Sequence, residues 1–85
     1  MVPEGAEGRM IEGSVARDLR VLAGLTMEEA AREAGIDART VFRFERGETR
    51  KPDTARRIAK VLRAGLERRS FAIDAARMKL ETVPE

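Results

Sequence analysis

Four glycines, Gly24, Gly35, Gly47 and Gly65, cut this 85-residue chain into short segments, and each segment carries the apolar spacing of a helix. Residues 1–13, with Pro3 and further glycines, read as a flexible N-terminal arm. Ser14 is placed to N-cap a first helix with Val15, Leu19 and Leu22 at i, i+4 and i+7. Gly24 then stands at the left-handed position after that helix, with apolar Leu25 behind it. Thr26 and Glu29 form a capping box for a second helix, which runs through Ala30, Ala31 and Ala34 to Gly35. Asp37 is expected to cap a third helix containing Val41 and Phe44, closed by Gly47. After a polar loop, Glu48 to Pro52, Asp53 or Thr54 starts a fourth helix, Ala55 to Ala64, with Ile58, Val61 and Leu62 inward and Gly65 as its stop. Ser70 to Leu80 reads as a fifth helix, with a short edge strand over Phe71 to Asp74 as the alternative, and the last three residues are expected to fray. The expected fold is all-α with short connections.

Composition narrows the chemistry. With neither cysteine nor histidine, the chain has no disulfide, no thiolate metal site and no Ser/His or Cys/His catalytic pair. No enzyme activity, cofactor or metal is expected. The longest apolar run, Val21 to Leu25 counting its glycine, falls far short of the ~20 residues a membrane span requires. Met1 to Arg9 carries two glutamates and no apolar run, so no secretory signal is expected either. The expectation is a small soluble protein of the cytoplasm, not associated with a membrane.

Charge is unevenly distributed. Residues 1–37 hold 4 basic and 8 acidic side chains, whereas 38–85 hold 13 basic and 7 acidic. Between Arg39 and Arg69 there are 11 basic against 4 acidic residues, nine of the basic ones arginine. Arginine suits planar contacts with phosphate and guanine, although a solvated helix face gives the same count.

The informative unit is the second helix, the turn Ala34-Gly35-Ile36-Asp37, and the third helix. Glycine in the turn lets the chain swing sharply, Ala31 permits a close crossing, and Ile36 and Val41 fill the wedge. That arrangement leaves Ala38, Arg39, Phe42, Arg43 and Arg46 on one face of the third helix. An ordinary helical hairpin explains the geometry. A helix-turn-helix that inserts its second helix into a DNA major groove explains the arginines too.

The runs Leu25-Thr26-Met27-Glu28-Glu29-Ala30-Ala31, Gly35-Ile36-Asp37-Ala38-Arg39-Thr40-Val41 and Phe44-Glu45-Arg46-Gly47 resemble the phage-repressor/Cro (XRE-type) helix-turn-helix family. The resemblance covers about residues 14–64, including Thr54 to Ala59. It implies a five-helix, lambda-repressor-like domain at 14–65, binding operator DNA as a homodimer. Small autoregulators such as the controller proteins of restriction–modification systems are similar in size and layout. The alternative is a protein-interaction module on the same fold, an antitoxin or antiactivator, which would show a sparsely charged third-helix face.

Carried over residue by residue, the resemblance puts base reading on Ala38, Arg39, Phe42 and Arg43. Arg39 has the fork for guanine O6 and N7, and Ala38 suits a thymine methyl. Phe42 stands in place of a small polar residue and either meets a thymine methyl or sugar or is partly buried against the second helix. Phosphate contacts fall on Met27, Thr40, Arg46, Arg50 and Lys51. Met27 departs from the family's glutamine, so backbone amides must serve there. Asp37 departs from the usual serine or threonine, and its carboxylate is expected to turn from the backbone or to read a cytosine amino group. The resemblance also implies a buried pair between Arg20 and Glu45.

The segment 66–85 is expected to provide dimerisation. Leu66, Phe71, Ile73, Met78 and Leu80 either cap the domain's own core or form a two-fold patch. The favoured arrangement turns Leu66 and Phe71 inward and gives Ile73, Met78 and Leu80 to the symmetry mate.

Overall fold

In a computed structural model, which describes residues 11–81, the chain forms four helices: α1 Gly13–Leu22, α2 Met27–Ala34, α3 Ala38–Glu45 and α4 Pro52–Glu81. Most of the 1–13 arm and the last three residues lie outside the described residues. Among the described residues the count is four rather than five, because the expected fourth and fifth helices are one continuous helix of 30 residues. The strand alternative at Phe71 to Asp74 is therefore replaced by helix.

Gly65 does not stop α4. It is buried mid-helix, where a Cβ would stand 3.1 Å from both the Ala23 Cβ and the Leu25 Cδ1. The glycine is a place of close approach for the α1–α2 connection, which is why it resembles a terminator in sequence but continues the helix. At the other end α4 begins at Pro52, not at Asp53 or Thr54, with proline in the first turn where its missing N–H costs nothing.

The three other interior glycines do end helices. Gly24, Gly35 and Gly47 all have positive φ. At the first two ends the chain closes with bonds from Leu25 N–H to the Arg20 carbonyl and from Ile36 N–H to the Ala31 carbonyl, and Glu48 N–H closes α3 onto the Arg43 carbonyl. These satisfy carbonyls that a helix end otherwise leaves orphaned. The capping box at α2 is complete: Glu29 N–H donates to Thr26 Oγ1 at 3.0 Å, and Thr26 N–H to Glu29 Oε1 at 2.9 Å. Two other caps differ from expectation. Glu12, not Ser14, occupies the N-cap of α1, and Asp37 holds the N-cap position of α3 without a capping hydrogen bond from its side chain.

Among the described residues, two clusters make up much of the core. One joins Ala16, Phe44, Ala55, Ile58 and Leu62, with Ile11, Leu19 and Ile36 against it; the other joins Ala30, Ala34 and Val61, with Leu25 and Ile36. Ile36 bridges both, so the turn between α2 and α3 is pinned by packing as well as by its glycine. The buried stripe of α1 is Ala16, Leu19 and Ala23, while Val15 and Leu22, expected inward, are exposed. Small residues win this face because α1 crosses its neighbours closely, and a larger side chain would hold them apart. The same closeness shows at Gly13, where a Cβ would lie 2.7 Å from the Glu45 carbonyl oxygen and nearer still to that of Phe44. The start of α1 thus rests directly on the carbonyl end of α3.

Among the described residues no helix is long and apolar enough to cross a membrane, and no group of three or more acidic residues is placed to hold a metal ion.

Candidate nucleic-acid interface

α3 is held from behind and free in front. Its inner side buries Val41 and Phe44, and its last residue, Glu45, accepts from Arg20 of α1 twice: Nε to Oε2 at 2.6 Å and Nη2 to Oε1 at 3.1 Å. The remaining Arg20 nitrogen, Nη1, donates to the Leu25 carbonyl at 2.9 Å. Their side chains are only 11% and 4% exposed. A two-pronged pair in that setting is short and directional, and the hydrogen bond to Glu45 raises the Arg20 pKa above its ordinary value despite the opposing cost of burial. One guanidinium therefore fixes α1, the loop after it and the end of α3 relative to one another.

The outer side carries Arg39, Phe42, Arg43 and Arg46, all exposed, with Ala38 half-covered beside them. Arg39 and Arg43 make no hydrogen bond or ion pair among the described residues. Arg46 is held instead. Its guanidinium carbon lies 5.4 Å from the centre of the Phe42 ring, and its Nε donates to Glu48 Oε2 at 2.8 Å. Phe42 is 44% exposed and belongs to neither core cluster, so part of its ring is open to solvent on this face.

Two grooves flank α3. Thr40, Arg43 and Lys51 share one, with Asp37 and Glu48 on its walls. Arg46 and Arg50 share the other, beside Gly13 and Ser14. The structure thus gathers Thr40, Arg43, Arg46, Arg50 and Lys51 around a single helix. Met27 stands apart at the start of α2, in a first turn that also carries Glu28 and Glu29.

Part of the basic stretch is structural, which sequence reading alone had not separated. Arg57 donates from Nε to Asp53 and from Nη1 to the Ala34 carbonyl at 3.3 Å, covering the end of α2. Arg68 pairs with Glu33, and the Arg69 guanidinium lies over Gly24. Phase marks Arg69 best, since it lies on the side of α4 that continues the buried stripe; Arg68 sits on the flank of that stripe and Arg57 farther round still.

The dimerisation candidates do not come together as expected. Phe71 is 78% exposed rather than turned inward, and only Leu66 is half-covered. Ile73 and Leu80 share one stripe with Leu66 at intervals of two turns, whereas Met78 lies about 140° around the helix from Ile73, on a second stripe with Phe71.

A family model described as helix-turn-helix matches residues 17–68. The chain belongs to the XRE-type helix-turn-helix family of DNA-binding regulators. No curated protein and no solved structure gives a match.

Proposed function

We propose that this helix-turn-helix protein is a sequence-specific transcriptional regulator that reads an inverted-repeat operator as a homodimer, with α3 in the major groove. The observation that carries the reading is the exposed arginine face of α3 mounted on the buried Arg20–Glu45 pair. A preorganised, cationic helix of this kind suits the groove, and an antitoxin-like protein surface would be poorer in charge. Ala38, Arg39, Phe42 and Arg43 read base edges. Thr40, Arg46, Arg50, Lys51 and the backbone at Met27 position the phosphates. A single α3 spans too few base pairs for specificity, and the exposed Ile73 and Leu80, on one stripe with half-covered Leu66, support pairing with a second copy.

Footprinting on DNA upstream of the protein's own gene tests the reading and supplies the operator. On that operator Arg39→Ala costs about 1–3 kcal/mol and relaxes preference at one base pair per half-site. Arg50→Ala weakens specific and random DNA alike and lowers the salt slope by about one. Equal losses on both DNAs for Arg39→Ala would remove it from base reading.

A further inference from the structure

The arginines of α3 account for charge, but they do not account for Phe42. An aromatic ring 44% exposed at the centre of a cationic face is a cost in the free protein, and the ring is nonetheless held in place by the Arg46 guanidinium 5.4 Å from its centre. Arg46 is in turn anchored by Glu48. Ala38, one turn before Phe42 on the same side, extends the apolar area, and Arg39 lies beside both at i+1 and i−3. The face therefore presents an ordered apolar patch next to an unpaired guanidinium.

Only one group in the major groove is apolar: the methyl on C5 of thymine. A methylated cytosine carries the same group at the same position. Arginine forks onto guanine O6 and N7. Resting on the proposed function, we infer that Phe42 with Ala38 seats a pyrimidine C5-methyl beside a guanine held by Arg39, so that each half-site contains a thymine–guanine step and accepts 5-methylcytosine–guanine in its place. The site reads the methyl group rather than the identity of the pyrimidine. Cytosine methylation within the operator then strengthens binding instead of blocking it.

The test uses the full chain and operators selected from a random duplex pool. In the selected site each thymine is replaced singly by deoxyuridine, which deletes only the methyl. Loss of about fourfold in affinity is expected at one position per half-site, next to guanine, as for one buried methylene. At that position 5-methylcytosine paired with guanine binds more tightly than unmethylated cytosine by a similar factor. In Phe42→Ala both differences vanish, while Phe42→Leu retains part of them. A specific site in which neither deoxyuridine nor 5-methylcytosine changes affinity at any position overturns this inference and leaves the proposed function standing. A selection that yields no preferred sequence overturns both.

Discussion

Residues 52–65 and 66–81 belong to one helix and are similarly rich in arginine and aliphatic side chains, yet the first half buries Thr54, Ala55, Ile58, Val61, Leu62 and Gly65 and the second buries nothing. Phe71, Ile73, Met78 and Leu80 stand in the open at 51–78% exposure. The difference lies in what each half meets. α1, α2 and α3 close over the first; at the start of the second Leu66 is half-covered, and Arg68 and Arg69 reach back to Glu33 and Gly24. Helix continuity is thus set by local propensity and carried across the boundary, whereas burial is set by neighbours.

The contrast is broken most severely at its anchored end. Glu45→Ala leaves Arg20 buried without its carboxylate, and removing one partner of such a pair costs about 3–5 kcal/mol. A domain this small then loses most of its stability, which thermal melts record. A melting temperature within a degree or two of the parent would show that the pair contributes nothing. Next comes a matched pair of truncations. Leu62→Ala, in the buried half, is expected to cost about 2–4 kcal/mol in denaturant unfolding. Leu80→Ala is expected to stay within about 0.5 kcal/mol in dilute protein while weakening self-association in sedimentation. Equal effects of the two would erase the distinction between the halves.

Gly13→Ala sharpens the comparison from another side, because it forces the start of α1 off the carbonyl end of α3. Overpacking against backbone costs about 1–3 kcal/mol, and operator affinity should fall further than stability alone explains, as α3 shifts on its support. Unchanged stability and affinity would mean that the junction yields freely.

The smallest effect is at the surface. The Glu29 carboxylate accepts from the backbone N–H and side chain of the Thr26 cap, and this holds its pKa below the ordinary glutamate value. A carboxyl depressed on folding stabilises above its ordinary pKa, and that contribution disappears as pH falls through the lowered value. Glu29→Gln keeps the capping geometry and removes the titration. Melting temperature against pH, followed from about pH 6 to 3, should be shallower in the variant at the acid end. Superposable profiles would show that the box does not depend on the charge.

Much of this architecture is legible in the sequence. The Thr26–Glu29 box and the glycines after α1, α2 and α3 act within one turn of chain, so their signals are local. Gly65 is where that reading fails, since a glycine that ends a helix and one that admits Ala23 and Leu25 against its interior look alike until the partners are known. α1 fails for a related reason. Val15, Leu19, Leu22 and Ala16, Leu19, Ala23 both satisfy the helical period, and only the closeness of the crossing selects the smaller set. On the interface side, the charge of α3 can be read directly. The pairing of Arg20 with Glu45 spans 25 residues and has no local signature, so only resemblance could suggest it. The capture of Arg57 by the end of α2 was likewise hidden, because one more arginine in a basic run carries no mark of its partner.

An unbroken α4 also works as a rigid shaft, roughly 45 Å long at the rise of an α-helix. Whatever its far end engages is keyed in angle to the helix-turn-helix at the near end, as two cams are keyed on one axle. A single residue inserted after Gly65 would turn the Ile73–Leu80 stripe by about 100°, leaving both ends intact but out of phase. Seven inserted residues would return the stripe to within about 20° of its original bearing, about 10 Å farther out. The length of this helix therefore carries information that no residue in it carries alone.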